Sequence, residues 1–191
     1  VSVKLEATSI PAFLEYLKDE LVDRLGVELG RQVINGDGVK ELTGVLTAMK
    51  DVTVQHVSYA AAGLKYTDLT KAFSKLGGQH VGKAAIYTSN DTAWNVLANI
   101  LDENGKPIFI NNAVDGGVGR VFGYIVKVDS GVPEGTIIIG NAKGYSLNEN
   151  LAISVESERN LKKRKTGLSG YTLQDGNVTH EKAFVIVTPA A

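Results

Sequence analysis

Apolar residues recur along this chain with two different periods, and each period predicts a different element. Val1-Ser2-Val3-Lys4-Leu5-Glu6-Ala7 alternates apolar and polar positions, which predicts a half-exposed strand or an extended arm. It ends at Thr8-Ser9-Ile10-Pro11, where Thr8 or Ser9 is suited to cap a helix and Pro11 to its first turn. From there Phe13, Leu14, Leu17, Leu21, Leu25, Leu29 and Val33 follow at steps of three or four, one apolar stripe down a helix. Drawn from Pro11 to Ile34, that helix is about 36 Å long. Its other face carries Glu15, Lys18, Asp19, Asp23, Arg24, Glu28 and Arg31, either a solvated face or a surface that neighbours contact. The helix is expected to stop at Asn35-Gly36-Asp37-Gly38, whose glycines supply a left-handed cap.

Two shorter helices are predicted next. Thr67 or Asp68 opens one with Leu69, Ala72, Phe73 and Leu76 inward, closed by Gly77-Gly78. Asn90 or Asp91 caps the other, with Trp94, Leu97, Ala98 and Leu101 inward, closed by the turn Asp102-Glu103-Asn104-Gly105. Between them Ala84-Ala85-Ile86-Tyr87-Thr88 reads as a strand buried in a sheet. Beyond residue 107 the pattern is strand and turn: Ile108 to Ile110, Phe122 to Val128, Thr136 to Ile139, Leu151 to Glu156, Thr166 to Leu173 and Lys182 to Val187. Gly131-Val132-Pro133-Glu134-Gly135 and Gln174-Asp175-Gly176-Asn177 offer turn chemistry between them. Helices set among strands of uneven length give an α+β class. With neither repeat nor low-complexity linker, a domain boundary is expected to be discontinuous.

Composition narrows the function classes. The chain has 191 residues, 20 Lys plus Arg, 21 Asp plus Glu, three His and no Cys. A net charge of -1 supplies no field for gripping nucleic acid or an anionic membrane. The lack of cysteine removes disulfides, thiolate zinc sites and cysteine nucleophiles. No run approaches the ~20 apolar residues of a membrane span, and Val1 to Ala7 has no signal-peptide pattern. A start at Val1 rather than Met suggests a processed or trimmed product.

The search for chemistry yields little. Asn35-Gly36-Asp37-Gly38 lacks the further oxygen ligands of a calcium loop and is read as a helix cap. Gly117-Val118-Gly119-Arg120-Val121-Phe122-Gly123 has its third glycine one position late for a dinucleotide fingerprint and is read as a mobile loop. His56, His80 and His180 are scattered and read as ordinary polar or interface histidines. Glu156 and Glu158 share one side of a strand, with a salt bridge to Arg159 or Lys162 expected in place of acid–base work. Arg159, Lys162, Lys163, Arg164 and Lys165 form a basic cluster beside those acids. Without interleaved aromatics it points to pairing across a subunit interface more than to nucleic acid. No catalytic, cofactor-binding or metal-binding residue is assigned.

Taken in order, the pieces resemble the major capsid proteins of tailed bacteriophages, the family with the Hong Kong 97 fold. The most specific stretch runs from Ile10-Pro11-Ala12-Phe13-Leu14-Glu15-Tyr16-Leu17 through Asp23-Arg24-Leu25 to Gln32-Val33-Ile34-Asn35-Gly36-Asp37-Gly38 and Gly44-Val45-Leu46-Thr47. It is similar to the family's long spine helix and closing turn. Tyr87-Thr88-Ser89-Asn90-Asp91-Thr92-Ala93-Trp94 and Leu101 through Phe109 resemble its strand, helix and turn. Gly123-Tyr124-Ile125-Val126, Gly140-Asn141 and Ile153-Ser154-Val155-Glu156 then match its late strands in order.

The resemblance implies a spine helix, a peripheral β-rich domain of residues 1–40 and 151–180, and an axial α/β domain of residues 41–150 and 181–191. It implies no enzyme and no cofactor, but a subunit that assembles with itself into pentamers and hexamers and closes an icosahedral shell around a phage or prophage genome. Partners are then further copies, with a scaffold, a portal and a maturation protease, and packaged DNA only indirectly; no membrane is involved. The location is the virion, assembled in the bacterial host cytoplasm. Expected subunit contacts are Glu15, Asp19, Asp23, Arg24, Glu156, Glu158, Arg159, Lys162, Lys163, Arg164 and Lys165. The family's N-terminal arm and extended loop have no counterpart before Ser9, so covalent crosslinking is not expected, and this form is expected to be a monomer or small oligomer in solution. Rival readings are an encapsulin-type compartment, a small hydrolase using Glu156, Glu158 and a histidine, and a ligand-binding module with an apolar cavity.

Overall fold

The computed structural model describes residues 11–60, 63–110, 118–163 and 165–190. The arm expected at Val1 to Ala7, the cap at Thr8 or Ser9, Gly117 of the expected loop, and Arg164 lie outside them. In chain order the elements are α1 (Pro11–Asn35), α2 (Val45–Met49), β1 (His56–Tyr59), α3 (Tyr66–Lys75), β2 (Ala85–Thr88), α4 (Asn90–Thr92, continued by a wider π turn over Ala93–Leu97), β3 (Phe109–Ile110), β4 (Gly119–Val121), β5 (Tyr124–Val128), β6 (Ile137–Gly140), β7 (Tyr145–Asn160), β8 (Lys165–Val178) and β9 (Phe184–Pro189). They divide into two units. One holds the chain up to Gly30 with Leu147–Asp175; the other holds Arg31–Ser146 and the chain from Gly176 onward.

The second unit is built on a seven-stranded mixed sheet in the order β1-β9-β6-β2-β5-β4-β3. Its centre is the Ile137-Ile138-Ile139 run of β6, antiparallel to both β2 and β9. Strand side chains alternate between faces, so Ile137 and Ile139 enter one core and Ile138 the other. The same split sends Val185 and Val187 to the first core, Phe184 and Ile186 to the second. Leu69 and Ala72 of α3 and Ala93 and Leu97 of α4 fill the first core; Val45 and Met49 of α2, with Ile34, fill the other. A continuous apolar run is the mark of such a strand covered on both faces.

Several boundaries differ from expectation, each for a local reason. The cap of α3 is Lys65, with Asp68 one turn in accepting from its backbone N–H at 3.4 Å. The cap of α4 is Ser89, whose Oγ accepts from Thr92 N–H at 3.2 Å. The bond from Ala98 N–H to Ala93 C=O spans five residues, widening the turn and rotating its face. Ala93 and Leu97 therefore point inward while Trp94 is 42% exposed and leans on Phe109 at 5.6 Å. Leu101, also expected inward, is exposed.

The expected mobile loop is strand from Gly119 onward: β4 pairs with β3 and β5. A Cβ on Gly119 would overlap the Phe109 ring, so the pairing needs glycine there. The hairpin turns on Phe122-Gly123, with φ of 51° and 83°, the left-handed pair of a two-residue turn. Phe122 is held there edge-on to Tyr66 at 5.2 Å and Phe73 at 5.7 Å. The turn expected at Gln174 to Asn177 lies within β8 instead. There Gly176 passes so close to Tyr145 that a side chain would overlap its ring, and its carbonyl accepts from Thr43 N–H at 3.1 Å.

Candidate functional site

The first unit lays α1 against the β7–β8 ribbon. The sequence stripe does what its period demands: Leu17, Leu21, Leu25 and Leu29 are half-buried, and a Cβ on Gly170 of β8 would lie 2.8 Å from Leu25 and 2.9 Å from Leu21. Glu15, Asp19 and Asp23 stand exposed on the opposite side. Arg24 donates to Glu20 at 2.7 Å, and that carboxylate raises its already high pKa. The outward face is not only charged. Tyr16 (60% exposed), Val22 and Val27 (69%) stand on it, and nothing lies within 4 Å of where a Cβ would sit on Gly26 or Gly30. The charge pattern alone missed these; the available signal was two glycines, four residues apart, inside a helix.

Along β8 the even positions from Thr166 to Gln174 are half-buried and the odd ones exposed. Tyr171, on the exposed side, donates to Glu156 Oε1 at 2.6 Å. That bond, more than the slight burial, raises the tyrosine's pKa. The expected ion pair is therefore corrected: among the described residues neither Glu156 nor Glu158 is paired with Arg159 or Lys162. Arg159 follows Glu158 on the strand and so points to its opposite face, and Lys162 lies beyond β7 in the turn, so proximity along the chain did not become proximity in space. Arg159, Lys162 and Lys163 are exposed around the ribbon tip, where Lys163 N–H donates to Asn160 Oδ1 at 2.9 Å. Leu161 among them is 76% exposed. The side chains of Arg164 and Lys165 lie outside the described residues. No described side chain of this unit between Glu15 and Gly30 or between Leu147 and Asp175 is fully buried.

In the second unit His80 and His180, a hundred positions apart in the chain, meet edge to face at 5.6 Å, while His56 stands apart with its Nε2 on Met49 C=O at 2.8 Å. Asp37 accepts from the N–H groups of Val39, Lys40 and Glu41 at 2.8, 3.0 and 3.2 Å. Those bonds, Val39's the largest, lower its pKa, and they occupy the carboxylate as a loop clasp. Gly36 N–H returns to Gln32 C=O at 2.7 Å, so the helix ends where expected, but Gly36 is not left-handed; the positive φ, 73°, falls on Gly38 in the loop beyond. An open cleft of about 390 Å³ is lined by Leu64, Tyr66, Ile100 and Leu101, with Lys65 and Glu103 at its polar parts. It contains neither Glu156 nor Glu158. Among the described residues no group of three metal-ligating side chains converges, and no helix is long and apolar enough to cross a membrane.

Comparison with known proteins agrees with the geometry. The model of the Phage capsid family matches residues 1–188. Among solved structures, the capsid of a native GTA particle shares 22% identity over 100% of this chain and 70% of its own, with a TM-score of 0.81. The Mycobacterium phage Bobi structure gives 14%, 100% and 69%, with 0.72. The SrpI encapsulin of Synechococcus elongatus gives 15%, 98% and 70%, with 0.71. At these identities the likeness is one of fold, the Hong Kong 97-like α+β architecture. No curated protein matches.

Proposed function

The chain belongs to the phage capsid family and is a structural major capsid protein, and we propose that it acts by lateral contact between copies, closing pentamers and hexamers into an icosahedral shell without cofactor or catalysis. The observation that carries this is the first unit, which has no fully buried described side chain yet exposes Tyr16, Val27, Leu161 and Leu173. A helix and a two-stranded ribbon that leave every described side chain between them at least partly exposed form an open layer, and further copies supply the cover. Glu15, Asp19, Asp23 and Arg24 on the helix, with Glu156, Glu158, Arg159, Lys162, Lys163, Arg164 and Lys165 on the ribbon, are the contacts we assign to neighbours. In this reading the unit of helix and ribbon is the peripheral domain, and the sheet unit is the axial one. Scaffold, portal and maturation protease act on the assembling shell in the host cytoplasm, and the product is the virion. DNA is enclosed without a tight grip, in keeping with a net charge of -1.

Electron microscopy of the whole protein expressed in bacteria tests this. Closed shells or capsomer rings are expected; a protein that stays monomeric at high concentration with its assembly partners present overturns the reading. The fold likeness to an encapsulin keeps a second shell function in view. Nuclease-protected DNA inside the particles supports the capsid, and enclosed protein cargo without DNA supports the compartment.

A further inference from the structure

Resting on the capsid reading, we infer that the tip of the β7–β8 ribbon of one copy docks on the outward face of α1 of a second copy. Among the described residues the acids of the helix face are uncompensated. Glu15, Asp19 and Asp23 follow at steps of four, so they stand on one line about 6 Å apart. Each is exposed, and none has an ion-pair partner among the described residues. Like charges at that spacing oppose the helix they sit on. Gly26 and Gly30 oppose it too, since mid-helix glycine is unfavourable, and neither is there to admit a neighbour from its own chain. With Val22 and Val27 exposed beside them, the face is a shallow apolar notch next to an acidic line that runs toward the exposed Tyr16.

The ribbon tip has the opposite chemistry in the same combination. Leu161 is the apolar knob, and Arg159, Lys162 and Lys163 are exposed cations without an ion-pair partner among the described residues. With Leu161 seated near Gly26 and Val27, the acids at Asp23 and Asp19 lie about 4 and 10 Å along the helix, within reach of the two lysines. The tip cannot serve its own helix in this way. Leu21 and Leu25 already face the ribbon at Gly170, and at about 100° per residue Asp19 and Asp23 lie on the far side from them. A contact in which each copy gives its tip to one neighbour and its helix to another is heterologous, so it propagates into a ring or lattice.

Charge reversal tests the pairing in the whole protein. Lys162→Glu with Lys163→Glu, and separately Asp19→Lys with Asp23→Lys, are each expected to lower association between copies about tenfold or more, measured by sedimentation. The chain carrying all four substitutions is expected to associate again, and ~1 M salt, with a Debye length of about 3 Å, to weaken the wild type. Circular dichroism checks folding; should a reversal unfold the chain, the neutral pairs Lys162→Gln with Lys163→Gln and Asp19→Asn with Asp23→Asn replace it, each expected to weaken association. Association unchanged in either single-sided variant, or not restored in the combined one, overturns the docking while wild-type shells leave the capsid reading standing. Wild-type protein that never forms shells overturns both.

Discussion

Gly26 and Gly30 offer a perturbation whose two consequences have opposite signs. Both lie inside α1, Pro11–Asn35, and a Cβ at either would meet nothing within 4 Å. Replacing glycine with alanine in a helix interior removes unfolded-state freedom and is worth about 0.5–1 kcal/mol per site. With no clash to subtract, Gly26→Ala with Gly30→Ala should add about 1–2 kcal/mol. For a chain of this length that raises the midpoint of thermal unfolding by roughly 2–4 °C per kcal/mol. Far-ultraviolet circular dichroism of the unassembled protein during heating measures it. Association between copies should move the other way, because two methyl groups then fill the notch on the outward face. A midpoint that stays or falls refutes the reading of these positions as open helix interior. A higher midpoint with undiminished association refutes the reading of the glycines as a contact surface.

Other sites answer to simpler measurements. Phe122 holds a positive φ, so Phe122→Gly loses the ring contacts but relieves the backbone, whereas Phe122→Ala loses the contacts and keeps the strain; denaturant titration should find the alanine variant less stable by about 1 kcal/mol. Gly119→Ala drives a methyl into the Phe109 ring and should cost about 1–3 kcal/mol in the same assay. Asp37, with its pKa lowered by three backbone donors, stabilises the loop above the ordinary carboxylate pKa of about 3.9 and loses that effect as the pH falls through its folded value. The stability gap between wild type and Asp37→Ala should thus be constant near neutrality and close on acidification; a gap that widens in acid would contradict the clasp.

The hydrophobic period was enough to locate α1 and its inward leucines, because a step of three or four puts Leu17, Leu21, Leu25 and Leu29 on one side whatever lies beneath them. The short apolar run Ala84 to Thr88 likewise announced a strand buried in the sheet, and β2 is that strand. Turn chemistry was less informative: Asp175-Gly176 has the residues of a turn, yet Gly176 serves the close approach of Tyr145 within a long strand. The family was legible through an ordered set of such local segments. The candidate surface was legible only in part. Acids and bases could be counted, but which of them face outward together depended on where Gly170 meets the helix and on Tyr171 taking up Glu156.

The sequence by itself determined where α1 and the apolar strands lie, since a period of apolar residues depends only on positions close together in the chain. Tertiary structure alone decided what each segment meets: β9 inserted between β1 and β6, His80 beside His180, Trp94 turned outward by a π turn. Those arrangements depend on strand register and chain crossover, which are selected by burying both faces of the sheet at once, and no local period records that choice.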